Sequence, residues 1–282
     1  MKFGDLEIHT VSDGLVHVDA GGPFGLVPRP LYAPEYTPDE SNTIPMALTC
    51  LLVRSGGQTI LIDTGLGDKL DAAGQARWRL ERPLGGLVEA LARLGVSPED
   101  VDIVVNTHLH GDHCGGNTRH VDGQVVATFP RATYLVQRME WADASHPDAR
   151  TRSTYALENF EPLLRESRMR LLHGDTTVAP GVRCIVTPGH THAHQSLLLE
   201  DGGWHGFYPA DLASYAVHLA RLSWMTAYDA EPLETLRTKR QWQPWLAERE
   251  ATIFFEHDAG LPIGRLVRHE GRFEIEPISP SG

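Results

Sequence analysis

The sequence predicts an α/β fold from three observations. Short apolar runs with the length and β-branched content of strands recur along the chain. Segments with leucines at helical spacing lie between some of these runs. Several runs end at a glycine-containing turn that presents polar side chains, as at residues 63–65 (DTG) and 187–190 (TPGH). Because ligands of α/β proteins collect at the carboxyl ends of strands, we expect functional groups at these turns.

Composition and charge limit the partners of the chain. Its 282 residues are 41% hydrophobic and 22% charged, as in an ordinary globular protein, and we expect one domain over residues 1–282 because no linker or low-complexity tract divides them. The net charge of −12 and the lack of a Lys/Arg cluster argue against nucleic acid as a partner. A membrane is not expected either, because no apolar stretch approaches the length of a membrane-spanning helix.

The amino terminus and the cysteines predict a cytoplasmic protein. The first residues, MKFGDLEIHTVSDG, include acids by residue 5 and no apolar core of signal-peptide length. The three cysteines, Cys50, Cys114 and Cys184, have no CxxC spacing, which fits reduced thiols better than disulfides.

The amino-terminal part is predicted to form strands at 6–11, 48–53 and 59–62, with a turn at 55–57 that makes a hairpin of the last two. Between the first two strands lies a segment rich in Gly, Pro and apolar residues, without periodicity, from residue 19 to about 46. We call it the arm. A long loop with apolar side chains is more often ordered and functional than disordered, so the arm is predicted to cover a pocket or a partner subunit, which favours a homodimer.

The rest of the chain alternates predicted helices and strands. Leucines between residues 84 and 94 predict a helix that ends at Gly95, and the sequence at 97–100 predicts a capped helical turn before the strand at 103–105. The other predicted elements are a strand at 133–137, helix at 138–166 with breaks at Pro147 and Pro162, strands at 182–186, 195–199 and 204–208, a helix at 231–250 interrupted by Pro244, and strands at 251–255, 265–268 and 273–275.

The stretch 101–116, VDIVVNTHLHGDHCGG, carries the strongest chemical signal. His108, His110, Asp112 and His113 put four potential metal ligands within six residues, directly after a predicted strand. Imidazole nitrogens and carboxylate oxygens are the ligands of zinc and iron sites. The alternative is a set of solvated loop histidines, but the cluster is internal and interleaved with glycines. Cys114 is interpreted as a packed small residue rather than a ligand.

Three further ligands follow other strands: His190 after 182–186, Asp211 after 204–208 and His257 after 251–255. Seven ligands exceed what one tetrahedral ion takes, but suit two ions about 3.5 to 4 Å apart that share a carboxylate. The sequence therefore predicts a binuclear metal site. Asp63 either supports this site or is only a turn residue, and the sequence leaves both readings open.

In this order, THLHGDH, TPGH, an aspartate after a hairpin and a histidine after the last buried strand resemble the metallo-β-lactamase superfamily. The resemblance implies a four-layer αβ/βα sandwich with the metals between its sheets. It also implies two divalent ions, zinc foremost, with iron, manganese and cobalt open. The implied ligands are His108, His110 and His190 for one ion, Asp112, His113 and His257 for the other, and Asp211 as the bridge. His194 would orient these ligands.

Other segments are similar to quorum-quenching N-acyl homoserine lactonases of the YtnP type. They are DAGGPFGLVPRPLY in the arm, the GHxxxH pair His190 and His194, WMTAYD at 224–229 and FFEHD at 254–258. This resemblance implies that a metal-bridging hydroxide opens a lactone ring and that Asp112 relays the proton. The alternatives are a phosphotriesterase or aryl esterase, and further a thioesterase or a di-iron oxidoreductase. The short tail after His257 weakens the thioesterase, and His110 at a position that is usually glutamate in di-iron relatives weakens the oxidoreductase.

For some side chains near the predicted ligands, the sequence allows either a functional or a structural role. The related lactonases place a tyrosine three residues after the bridging aspartate, whereas Tyr215 lies four after Asp211. Tyr215 is predicted either to assist catalysis, as an acid or by binding the carbonyl, or to be a packed tyrosine whose hydroxyl meets the backbone. His218 nearby is a second candidate. Substrate pocket residues are predicted from the arm and the WMTAYD segment, with a core role as the alternative: Phe24, Leu26, Trp224 and Met225.

Overall fold

The computed structural model describes residues 1–279. Its strands are β1 (Lys2–Phe3), β2 (Leu6–Asp19), β3 (Thr43–Ser55), β4 (Gln58–Ile62), β5 (Ile103–Val105), β6 (Thr118–Val121), β7 (Gln124–Ala127), β8 (Thr133–Gln137), β9 (Met169–Leu172), β10 (Thr176–Ala179), β11 (Val182–Val186), β12 (Gln195–Asp201), β13 (Trp204–Tyr208), β14 (Thr252–Phe254), β15 (Ile263–His269) and β16 (Arg272–Pro277). Its α-helices are α1 (Gly21–Phe24), α2 (Arg29–Tyr32), α3 (Ala72–Trp78), α4 (Leu87–Ala92), α5 (Gly111–Cys114), α6 (Arg138–Ser145), α7 (Glu161–Arg165), α8 (Ala216–Ala220) and α9 (Pro232–Glu248). Short 3-10 helices span Pro98–Asp100, Gly115–Asn117, Leu157–Asn159 and Ala210–Ala213.

Two seven-stranded sheets form the centre of the fold. The first has the order β1-β2-β3-β4-β5-β8-β9 and the second the order β10-β11-β12-β13-β14-β15-β16, while β6 and β7 form a separate ribbon. In the first sheet, β4, β5, β8 and β9 pair in parallel. Parallel strands end at the same edge of a sheet, so the turn after Ile62 and the loop after Val105 lie side by side.

The core lies between the two sheets and beneath the helices on their outer faces. Residues of both sheets pack against each other, for example Leu51 and Val105 of the first with Leu197 and Phe254 of the second. Helices α4 and α7 cover the outer face of the first sheet. Helix α9 covers the outer face of the second. The sheets and helices thus form four layers, which confirms the predicted α/β sandwich. Each sheet is apolar on both faces, and the layers bury both.

Several predicted strands are longer in the structure. The strand predicted at 6–11 continues as β2 to Asp19, because the register shift between Ser12 and Leu15 lets the pairing resume beyond Gly14, whose φ is +130°. The strand predicted at 48–53 begins already at Thr43. The arm therefore ends before residue 43 rather than near 46, and it contains the single helical turns α1 and α2.

The helical predictions needed three corrections. Helix α4 starts at Leu87 rather than near Leu84, which is 72% exposed, because Gly85 has φ +85° and Gly86 is extended. The segment 146–156 is irregular, and Pro162 lies in the first turn of α7, where its missing N–H costs nothing. Helix α9 continues through Pro244, because tertiary packing of residues such as Leu246 outweighs the lost hydrogen bond.

Sequence patterns predicted neither β1, β6, β7, β9 and β10 nor α3 and α8. The three cysteines are free and buried, in agreement with the predicted reduced thiols. Within residues 1–279, none of the helices has the length and apolar character needed to cross a lipid bilayer.

Candidate metal centre

Four loops bring the seven predicted ligands together between the two sheets. Residues 106–113 follow β5 and enter α5, and His190 lies in the loop between β11 and β12. Asp211 lies in the 3-10 helix after β13, and His257 follows β14. Their side chains form two groups of potential ligand atoms, each within 4.8 Å of one another: His108, His110, His190 and Asp211 in the first, and Asp112, His113 and His257 in the second.

The first group consists of three imidazoles and one carboxylate. His110 Nδ1 lies 3.0 Å from His108 Nε2 and 3.1 Å from His190 Nε2. Asp211 Oδ2 lies 3.0 Å from His190 Nε2 and 3.8 Å from His108 Nε2. Four ligands around a tetrahedral zinc ion at 2.0–2.1 Å lie roughly 3.3 Å apart, so these separations fit one ion.

The second group adjoins the first through the same aspartate. His257 Nε2 lies 3.2 Å from His113 Nε2 and 3.8 Å from Asp112 Oδ2. Asp211 Oδ1 lies 3.2 Å from His257 Nε2, and Oδ2 lies 3.0 Å from His190 Nε2 and 3.4 Å from His113 Nε2. The Asp211 carboxylate thus contacts both groups, which suits a bridging ligand.

The imidazoles are oriented through their second nitrogen atoms. His190 Nδ1 lies 3.0 Å from Asp229 Oδ1, and His257 Nδ1 lies 2.7 Å from the Ala47 carbonyl oxygen. His113 Nδ1 lies 3.2 Å from Asp63 Oδ2 in hydrogen-bond geometry, and 3.1 Å from Glu256 Oε1 without it. Such partners fix the tautomer and the ring orientation of metal-binding histidines.

Asp63 supports the candidate site as well as the turn. It is fully buried with φ +56°. Its carboxylate accepts hydrogen bonds from the Thr107 amide at 2.8 Å and the Thr107 hydroxyl at 2.7 Å, next to His108. Asp63 therefore connects the turn after β4 to the loop that carries the first histidines.

His194 orients Asp211 from behind. Its Nε2 accepts a hydrogen bond from the Asp211 amide at 3.2 Å, and its Nδ1 faces the Thr187 hydroxyl at 2.9 Å. Burial lowers the pKa of His194 to about 3, so the ring is neutral and Nε2 remains an acceptor. The orienting role implied for His194 matches this geometry.

The electrostatics of the site suit a cation. Burial would raise the pKa of the Asp211 carboxyl, but the imidazoles of His190, His257 and His113 hold it well below its usual range. Burial and the neighbouring histidines lower the pKa values of His108 and His110, which favours the neutral form that binds metal. Although burial opposes it, the Asp211 carboxylate raises the pKa of His190 to about 10 and that of His257 to about 9, so a metal would displace a proton from these two rings. The residues present therefore fit a pair of divalent ions.

Of the cavities that open beside the ligand groups, two are each lined by more than one ligand. The smaller has a volume of about 130 Å³ and is lined by Asp112, Asp211 and His257 among others. The larger has a volume of about 440 Å³ and is lined by His110 and His190 on one side. Predicted ligands line both cavities, so a molecule bound in either cavity would lie next to the candidate metal centre.

The family profile described as the Metallo-beta-lactamase superfamily matches residues 44–241. The chain belongs to this superfamily. An N-acyl homoserine lactonase from a Bacillus species is 32% identical over 174 residues, 58% of this chain and 62% of that protein. The lactonase AttM from Rhizobium radiobacter is 26% identical over 226 residues, 74% of this chain and 80% of that protein. The match thus spans less than two thirds of the Bacillus relative.

Solved structures share the superfamily fold. A probable metal-dependent hydrolase from Staphylococcus aureus has a TM-score of 0.90 and 26% identity, covering 100% of this chain and 99% of that one. The dizinc quorum-quenching lactonase AidC, solved with a homoserine product, has a TM-score of 0.81 and 21% identity, covering 100% of this chain and 97% of that one. These similarities confirm the metallo-β-lactamase fold predicted from the sequence.

The structure gives the two predicted catalytic candidates, Tyr215 and His218, different surroundings beside the ligand groups. Tyr215 lines the smaller cavity, but its side chain is buried and its hydroxyl donates to the Pro45 carbonyl oxygen at 3.2 Å, as in the alternative of a packed tyrosine. His218 is buried against Phe24 and Tyr215 and does not line the smaller cavity. Cys114 donates to the Leu109 carbonyl oxygen at 3.2 Å, as expected for a packed residue.

The predicted pocket residues lie outside the two cavities described above. None of the four predicted residues lines either cavity beside the ligands: Phe24, Leu26, Trp224 and Met225. Phe24 is fully buried and stacks on Tyr32, and Leu26 is fully exposed. The same segments instead contribute Pro23 from the arm and Tyr228 from WMTAYD. Without a periodic pattern, the sequence could not indicate which side chains turn inward.

Three buried acids near the ligands have no role assigned by the sequence motifs. Asp229 ends WMTAYD and Glu256 precedes His257, so the quoted motifs contained both without assigning them a role. Burial raises the pKa of Glu256 to about 7, although His113 opposes this. Glu140 had no local signal, since it lies in α6 far from any motif.

Proposed function

We propose that this chain is a binuclear metal-dependent hydrolase that opens N-acyl homoserine lactones. The observation that carries the proposal is the pair of ligand groups that share Asp211. The lactonase names of the relatives support the substrate class. The His-rich loop supports hydrolysis, because His110 stands where the di-iron alternative expects a glutamate.

The proposed ligands are those predicted from the sequence. His108, His110 and His190 hold one ion, Asp112, His113 and His257 hold the other, and Asp211 bridges them. When bound, two such ions supply a hydroxide nucleophile at neutral pH and polarise the carbonyl group that it attacks. Zinc is the proposed metal, which the dizinc lactonase of the same fold supports.

Asp112 has a second task in this proposal. Its side chain is 17% exposed, against 0% for His113 beside it, and it lines the smaller cavity. Its carboxylate can therefore hold a proton and pass it to the oxygen that leaves when the ring opens. The neighbouring imidazoles stay oriented throughout because Asp229, Asp63 and Ala47 fix their second nitrogens.

We assign the two parts of the proposed substrate to the two cavities by their distance from the ligands. We place the lactone head in the smaller cavity, which meets Asp112, Asp211 and His257. We place the acyl group in the larger cavity along His110 and His190. Tyr228 lines both cavities, so its hydroxyl lies where the amide that joins head and chain would pass.

A homodimer and a cytoplasmic location remain proposals. The arm presents Leu26 and Leu31 to solvent, at 102% and 55% exposure, which supports a second subunit against this surface. Light scattering of the purified protein tests the dimer, and cell fractionation tests the location.

A substrate panel tests the proposed function. Protein loaded to equal metal content is assayed with acyl homoserine lactones, aryl phosphotriesters, aryl esters and thioesters. We expect ring opening of the lactones with a higher kcat/KM than for the other classes, and loss of that activity on chelation. No turnover of any lactone by the fully loaded protein would overturn the proposal, and preferred turnover of phosphotriesters would favour the alternative.

A further inference from the structure

A buried carboxylate outside both ligand groups connects the loops that carry the first group. Glu140 lies in α6 and is 0% exposed. It belongs to neither group of potential ligand atoms. A buried carboxylate is costly unless hydrogen bonds compensate it, so its partners indicate why the fold keeps it.

The partners of Glu140 come from two different ligand loops. Its Oε1 accepts a hydrogen bond from the Leu109 amide at 2.9 Å, and Leu109 lies between His108 and His110. Its Oε2 accepts a hydrogen bond from the Thr191 hydroxyl at 2.5 Å, and Thr191 follows His190. The Glu140 side chain thus connects the loop that carries His108 and His110 to the loop that carries His190.

A third partner extends this contact to an imidazole ring. The Tyr155 hydroxyl donates to Glu140 Oε1 at 3.4 Å, and the Tyr155 ring packs against His110 with centroids 4.9 Å apart. Glu140 therefore acts on His110 both through the loop backbone and through the neighbouring ring.

Glu140 does not support the second ligand group. His113 Nδ1 meets Asp63, and His257 Nδ1 meets the Ala47 carbonyl oxygen. Within residues 1–279, the Glu140 carboxylate accepts hydrogen bonds from none of these residues. Its removal should disturb one ligand group and spare the other.

We propose that Glu140 is a positioning residue that sets the metal affinity of the first ligand group by joining the loops of His108, His110 and His190. The proposal rests on the metal site of the proposed function, but not on the identity of the substrate. Loss of an outer partner of metal ligands typically costs 10- to 100-fold in affinity, which gives the expected size of the effect.

The test is a zinc titration of metal-free protein against a chromophoric chelator, with occupancy of each group measured by anomalous scattering from crystals. We expect Glu140→Ala to weaken zinc binding at the first group by about 10- to 100-fold and to leave the second group unchanged. Glu140→Gln should restore most of the affinity, because its carbonyl can accept from Leu109 and its amide can donate to the Thr191 hydroxyl. Glu161→Ala is the matched control, since Glu161 is a surface carboxylate paired with Arg165.

Thr191→Val tests the same proposal if Glu140→Ala does not fold. It removes only the hydroxyl that donates to Oε2, so it should weaken the first group in the same direction. Wild-type affinity at the first group in Thr191→Val and in every folded Glu140 variant would overturn the proposal, as would equal weakening of both groups. Because zinc binding is the readout, a chain that opens no lactone would overturn the proposed function and leave this result intact.

Discussion

The two tyrosines beside the candidate metal centre use their hydroxyl groups differently. Tyr215 donates its hydroxyl to the Pro45 carbonyl oxygen and is 1% exposed. Tyr228 is 47% exposed and lines both cavities. Tyr228 also packs its hydroxyl against Gly22 of the arm, where any Cβ atom would overlap it. Tyr215 also lines the smaller cavity, but its hydroxyl is already paired with Pro45, so we expect a substrate to meet the hydroxyl of Tyr228 instead.

This difference predicts that removing the hydroxyl lowers activity at Tyr228 and stability at Tyr215. Tyr228→Phe should lower kcat/KM for lactones by about 3- to 10-fold, the value of one hydrogen bond of 0.5–1.5 kcal/mol, with unchanged stability. Tyr215→Phe should lower the free energy of unfolding by about 1 kcal/mol, because the Pro45 carbonyl loses its partner. Steady-state kinetics and denaturant unfolding of both variants check this, and a larger loss of kcat/KM in Tyr215→Phe would contradict it.

At the residue scale, the candidate ligands were easier to find in the sequence than the residues that support them. His108, His110, Asp112 and His113 were evident because their spacing is local. Glu140 was not, because its partners Leu109 and Thr191 are distant in sequence and a glutamate in a short helix is ordinarily a surface residue.

Among the elements, two loops depend on glycine at a close contact. The turn after β4 and the end of the ligand loop run side by side, with the Thr64 amide donating to the His113 carbonyl oxygen at 2.7 Å. A Cβ atom on Gly116 would overlap the Thr64 carbonyl oxygen. This contact holds the turn of Asp63 against His113.

Gly116→Ala is therefore expected to lower the free energy of unfolding by about 1–3 kcal/mol, as overpacking does. Zinc affinity should fall with it, because the ligand loop must shift. Gly111→Ala is the control, since a Cβ atom there meets nothing nearer than the Thr154 carbonyl oxygen at 3.8 Å. Denaturant unfolding compares the two variants, and equal midpoints would show that the two loops have room to separate.

Elements with local signals were predicted well, and elements that depend on tertiary packing were not. The strands at 103–105 and 133–137 combine apolar runs with clear turns and were found as predicted. The segment 138–166 looked helical from composition, yet residues 146–156 form an irregular loop because they line the larger cavity and bond to the ligand loop. Such contacts leave no periodic pattern.

For the whole molecule, stability in acid depends on a buried histidine that is not a predicted ligand. His218 is 1% exposed, and burial together with the nearby Lys239 ammonium lowers its pKa to about 3, although Asp229 and Asp211 oppose this. An unfolded chain binds a proton at this histidine near pH 6.5, whereas the folded chain does so only near pH 3. The contribution of His218 to the free energy of unfolding is thus complete above about pH 6.5 and is lost as the pH falls toward 3.

The metal-free protein should accordingly lose stability between about pH 6.5 and 4.5, and His218→Phe should lose less over the same interval. The difference in slope between the two proteins should correspond to about one proton. Denaturant unfolding at several pH values measures it. Parallel pH dependence of wild type and variant would show that His218 takes up its proton in the folded state.

The four-layer arrangement was predictable only through the resemblance of the metal motifs. Local patterns indicate strands and helices, but pairing β4 with β5, or β13 with β14, depends on contacts across long stretches of sequence. The site lies where the halves meet, since His108 to His113 follow the first sheet and His190, Asp211 and His257 follow strands of the second. Metal binding should therefore also stabilise the packing of the two halves.

The most direct test of the binuclear account is the dependence of lactone opening on bound zinc. Metal-free protein is titrated with zinc while ring opening and bound metal are followed together, with Asp211→Asn as the matched variant. We expect activity to reach its plateau at about two ions per chain, and Asp211→Asn to bind less zinc and to turn over at least about 100-fold more slowly. A plateau at one ion, or an Asp211→Asn variant with wild-type zinc content and rate, would contradict the account.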